Sequence, residues 1–189
     1  GTAIAGIIQK YAPDALIVPL MYYTAYISGV PRNGGVSAIC KAIYDAVDTY
    51  KCKIINISSG IYSEDDELKT AIDYAESKGV IVISAVGNDN KKAPDRVFYP
   101  AAYDTVIGVG AVDAKKTIAD FSQRNKSVTA VMYGVDIKVP SIRNGDIYTT
   151  VSGTSYATAS LCGMAAAIVR EYPDITPAQF RCLLKLTSQ

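Results

Sequence analysis

The chain has 189 residues, 49% of them hydrophobic and 20% charged, which suits one globular domain with a sizeable core and excludes disorder. Lys and Arg number 19 and Asp and Glu 18, for a net charge of +1, so no basic patch points to nucleic acid or an anionic membrane. Histidine is absent, and no stretch is long and apolar enough to read as a membrane span.

In chain order, the first candidate strand is Ala15–Met21 ("ALIVPLM"), followed by Lys53–Ser58, Val80–Val86 and Thr105–Val112. These are continuous apolar, β-branched runs and not alternating ones, the pattern of strands covered on both faces of a parallel sheet. Between them lie amphipathic helical patterns. Val36–Thr49 places Ile39, Ala42, Ile43, Ala46 and Val47 on one stripe, and Asp65–Lys78 places Leu68, Ala71, Ile72 and Ala75 on another, with Gly79 as its stop. Ala119–Thr150 reads as short strands and turns. Ser155–Arg170 is a helix of small residues, and a last amphipathic helix starts with Thr176 as cap and Pro177 in its first turn. The alternation predicts an α/β fold, a mostly parallel sheet with helices on both faces, over a single domain spanning 1–189.

Two places carry candidate chemistry. Asn88 follows the Val80–Val86 run, and sites in open α/β sheets lie beyond the carboxyl ends of strands; "GNDN" is equally a turn. Ser155 opens a helix after Gly153 and Thr154. It reads either as an N-cap or as a nucleophile whose backbone N–H, with the Asn88 amide, makes a two-donor oxyanion hole. "GVGAVD" (108–113) lacks the third glycine of a dinucleotide loop, and its glycines fall inside the strand, which excludes that reading. The four cysteines (40, 52, 162 and 182) form no paired zinc motif. Cys40 and Cys162 lie in apolar helix-like runs, so buried free thiols are the default, and they mildly favour a reducing or anaerobic compartment.

Taken in order, the motifs resemble those of the subtilisin-like serine peptidases. "GTSYATA" resembles the nucleophile motif Gly-Thr-Ser-x-Ala-Ser/Thr-Pro, and "ISAVGNDN" the segment with the oxyanion asparagine. "KIINISSG" is similar to the strand whose end binds substrate backbone. "YPAAYDTVIGVGAVD" and "FSQRN" resemble the segments that follow, and "GTAIAGII" the helix just after the catalytic histidine. The resemblance implies a three-layer, subtilisin-like architecture without its N-terminal part. It also implies a role for each matched residue. Ser155 is the nucleophile and Asn88 the oxyanion donor; Ser58, Ser59 and Gly60 pair with an extended peptide. Ala85, Val86 and Gly87 line a wall of the primary pocket, and Tyr26 to Gly29 face the peptide from the other side. Phe98 falls where many relatives have a glycine, and a phenyl ring there would shorten the pocket and favour small P1 side chains. The implied partner is a peptide or protein substrate, with no cofactor beyond the calcium that such enzymes bind; many family members are secreted.

The departures matter as much. The family's catalytic histidine would directly precede Gly1, and its aspartate would lie further upstream. Its second helix histidine is Ala3, and the Pro-His pair after Thr158 reads Ala159-Ser160. Loss of the histidine from a subtilisin lowers turnover about 10⁶-fold, a measured value for that enzyme. On that scale the 189 residues alone are expected to be inert. Two explanations stand side by side: a parent protein that carries the base and aspartate, or a pseudopeptidase that keeps the peptide groove. Both leave a gap in the sheet where the family's aspartate-bearing strand would lie, exposing the edges of its two neighbouring strands, to be filled by another chain, a rearranged sheet or self-association.

Overall fold

A computed structural model describes residues 1–27, 30–141 and 147–187. The elements are α1 (Thr2–Tyr11), β1 (Tyr23–Ile27), β2 (Val30–Asn33), α2 (Gly35–Tyr44, continued by a π-helical turn over Asp45–Thr49), β3 (Ile54–Ile57), α3 (Asp66–Ser77), β4 (Ile81–Ala85), β5 (Ile107–Val112), β6 (Ala130–Tyr133), β7 (Ile137–Pro140), β8 (Tyr148–Val151), α4 (Thr154–Glu171) and α5 (Pro177–Thr187). The main sheet has the order β3-β4-β5-β6, and every pair in it is parallel. Two antiparallel pairs, β1-β2 and β7-β8, stand apart from it.

The continuous apolar runs are explained by burial on both sides. All residues of β4 and β5 are buried, and successive side chains serve opposite layers. Val80 and Val82 join Ile39, Ile43, Leu68 and Ile72 under α2 and α3. Ile81 and Ile83 join Ala157, Leu161, Cys162 and Phe180 under α4 and α5. Small residues on α4 bring its axis close to the sheet; Ala157, Ala159 and Ala165 are fully buried. The helix signals also act as read. Asp65 caps α3 by accepting from the Leu68 N–H at 2.9 Å, and Gly79 follows that helix at φ 77°. Thr176 and Gln179 form a reciprocal capping box at the start of α5.

One expected strand is not there. Ala15–Met21 has no ladder partner among the described residues, and Leu16 and Met21 are 97% and 77% exposed. Apolar composition foretells burial only where a neighbouring strand exists to pair with, and Pro19 lacks a donor for any ladder. The β1-β2 pair forms directly after this run instead. Consistent with the missing neighbour, β3 ends the sheet, and its outer side carries no strand among the described residues.

Candidate active site

The site lies beyond the carboxyl ends of β3 and β4, where they meet the first turn of α4. A cavity of about 270 Å³ opens there, lined by Ser58, Tyr62, Ala85, Gly87, Asn88, Asp89, Phe98, Thr154 and Ser155. Residues far apart in sequence thus converge because parallel strands all point the same way.

Gly87 turns the chain at the end of β4 with φ 102°, a conformation that favours glycine, and so presents Asn88. Asn88 is turned in one sense only. Its Oδ1 accepts from the Thr154 N–H at 2.9 Å and the Thr154 hydroxyl at 3.0 Å. Nδ2 is thereby left as the donor end of the amide, with no acceptor among the described residues. Asn88 also supplies the cap that Gly153, at the N-cap of α4, lacks a side chain to make. Ser155 is therefore not the cap; it sits inside the first turn, where its backbone N–H has no helical acceptor upstream. Two donors thus border one cavity, at the positive end of an 18-residue helix.

The Ser155 hydroxyl donates to the Ser58 carbonyl at 2.9 Å, and the Ser58 hydroxyl donates to the Ser155 carbonyl at 3.0 Å. An amide carbonyl is no general base near neutral pH, and a chain without histidine offers no imidazole. The two buried thiols, Cys40 and Cys162, do not offer a second nucleophile. Burial pushes the Cys162 thiol strongly upward. Burial, with Glu67 and Asp65 as lesser causes, raises that of Cys40 to about 11.

The other expected residues divide. Ala85, Gly87, Phe98 and Ser58 line the cavity, whereas Val86 is fully buried and does not. Ser59 and Gly60 follow Ser58 in the chain but do not line the cavity. Ser59 accepts the Tyr22 hydroxyl, and a Cβ on Gly60 would come within 2.0 Å of the Tyr99 carbonyl, so only glycine fits. Of Tyr26 to Gly29, Ser28 and Gly29 lie outside the described residues. Sequence reading missed Tyr62, Asp89 and Arg96. The Tyr62 ring lies 5.1 Å from that of Phe98, and its hydroxyl donates to Asp89. That bond, then burial, raises its pKa. Arg96 stacks over the same ring at 4.6 Å. The only available signal was the aromatic residue two places after Gly60. Among the described residues, no group of three or more carboxylates, thiols or imidazoles converges as a metal site.

Comparison with known proteins gives a consistent picture. The sequence profile of the Subtilase family matches residues 1–189. Subtilisin DY of Bacillus licheniformis is 36% identical over 167 residues, covering 88% of this chain and 60% of that protein. Subtilisin E of Bacillus subtilis (strain 168) is 37% identical over 198 residues, covering 100% and 50%. Fervidolysin from Fervidobacterium pennivorans, a keratinolytic enzyme related to subtilisin, superposes with a TM-score of 0.88 at 28% identity; the match covers 99% of this chain and 32% of fervidolysin. The chain thus spans only part of the length of the relatives it matches.

Proposed function

The chain belongs to the Subtilase family as a subtilisin-like serine peptidase domain, and on that premise we propose that Ser155 is the nucleophile of peptide-bond hydrolysis, with a base and its orienting aspartate drawn from outside these 189 residues. The observation that carries the reading is the orientation of Asn88, whose oxygen is fixed on Thr154 while its Nδ2, in the cavity it shares with Ser155, has no acceptor among the described residues. In this reaction Ser155 Oγ attacks the scissile carbonyl carbon and its proton passes to the base. The resulting oxyanion accepts from the Ser155 N–H and Asn88 Nδ2. The C–N bond breaks as the base returns the proton to the amine, and water repeats the sequence on the acyl-enzyme. Ser58, Ser59 and Gly60 pair with the peptide backbone, and Phe98 limits the P1 side chain.

Peptides varied at P1, given to the full-length protein, test this directly. Alanine or glycine at P1 should be cleaved faster than phenylalanine, Phe98→Gly should reverse the order, and Ser155→Ala should cleave nothing. A wild type that prefers large P1 residues contradicts the role of Phe98.

A second reading is a peptide-binding domain without chemistry. It is supported by Ala159-Ser160 in place of the family's Pro-His and by a Ser155 hydroxyl resting on the Ser58 carbonyl. Peptide binding with no turnover in the full-length protein, unchanged by Ser155→Ala, would favour it. Under either reading, the open side of β3 supports a partner segment or a second copy that supplies a further strand. The 189-residue chain on its own is expected to self-associate, and a well-folded monomer by light scattering would contradict that.

A further inference from the structure

Side chains alternate along β3 and its continuation, so Ile54, Asn56 and Ser58 face the same layer. That layer is α4: Ile54 packs into the cluster containing Leu161, and Ser58 reaches the Ser155 carbonyl. Asn56 lies between them, beneath the first turns of α4. Its Nδ2 donates to Ser58 Oγ at 3.0 Å. A hydroxyl has one proton, and with Asn56 occupying a lone pair the Ser58 proton is directed at the Ser155 carbonyl, 3.0 Å away. The chain of contacts runs from the sheet, through two side chains, to the backbone of the serine.

Asn56 also carries a cost. Its Oδ1 is buried and has no hydrogen-bond partner among the described residues. A buried, unmatched amide oxygen lowers stability, and an apolar side chain of similar size would avoid the loss. Retaining the amide for one useful donor points to function over folding.

We infer that Asn56 is a positioning residue for the serine site: acting through Ser58, it fixes the Ser155 turn of α4 relative to the strand end that holds the peptide. The inference rests on the nucleophile reading of Ser155 for its kinetic consequence but not for its geometry. Slight misplacement of a reacting group is costly because attack needs near-contact alignment.

The test uses the full-length protein, a fluorophosphonate as label and a non-hydrolysed peptide as ligand. Asn56→Val should melt no lower than the wild type and keep its peptide affinity, while labelling of Ser155 slows between roughly tenfold and a hundredfold. Ser58→Ala should slow labelling to a similar degree, and the double variant no further than either single one, because both act along one path. Unchanged labelling in a folded Asn56→Val protein overturns the inference. So does slowing that adds fully in the double variant. If Asn56→Val fails to fold, Ser58→Ala decides by the same label: slowed supports, unchanged overturns. If the wild type takes no label, the nucleophile reading falls and the crystal structure of Asn56→Val decides the positioning role. A Ser58 hydroxyl still bonded to the Ser155 carbonyl overturns it, and a rotated one supports it.

Discussion

Asn88→Ala in the full-length protein is expected to lower kcat roughly 10²–10³-fold with little change in KM; the magnitude is that measured for the oxyanion asparagine of a subtilisin. The direction follows from this chain's own geometry. Asn88 Nδ2 is a side-chain donor at the cavity with no acceptor among the described residues, and it would be used where charge develops and not on the resting substrate. The alanine variant should also lose stability, because Oδ1 caps α4 through the Thr154 N–H. Loss of a cap costs about 1 kcal/mol, or roughly 2–4 °C in melting temperature for a domain of about 150–250 residues. Asn88→Asp separates the two effects. It keeps an acceptor for Thr154 and so should retain most of the stability, yet it replaces the donor with a negative charge and should be at least as inactive. An Asn88→Asp protein that turns over peptide at the wild-type rate would show that Asn88 only caps the helix.

The largest stability loss is expected at Phe180. Its ring is fully buried and joins α5 to the sheet face formed by Ile81, Ile83 and Ile107, beside Leu161 of α4. Phe180→Ala removes one of the largest side chains in that layer and leaves a cavity that flanking helices refill only in part. Such a change costs about 3–5 kcal/mol, a large share of the roughly 5–15 kcal/mol that holds a domain folded. The urea midpoint should fall accordingly. Leu186, on the same helix, is 79% exposed, and Leu186→Ala should stay within about 0.5 kcal/mol. Equal losses at the two positions would contradict the docking of α5 through Phe180.

Much of this was legible from local chemistry. Periodicity located α3 and α5, because their buried stripes and N-caps are local signals, and a run of small residues located α4. The runs around β3, β4 and β5 read as doubly covered strands, and they are. Ala15–Met21 failed for a non-local reason: a strand needs a partner, and composition does not record whether one is present. Motif order brought Ser155, Asn88 and Ser58 to one site. The cross-segment contacts were beyond it. Nothing local in the sequence says that Asn88 caps the helix bearing Ser155, or that Tyr62, Asp89 and Arg96 meet beside Phe98. Asn56 was passed over as one polar residue in an apolar run, although a buried amide in such a run was the available clue.

The central claim is that Ser155 is a nucleophile awaiting a base, and the most direct measurement is the position of a fluorophosphonate adduct on the full-length protein by peptide mapping. A single adduct on Ser155, absent from Ser155→Ala and absent from the 189-residue chain alone, is the predicted result. A folded full-length protein that binds peptide yet leaves Ser155 unmodified would contradict it, and would make the site a peptide-binding groove that no longer performs chemistry.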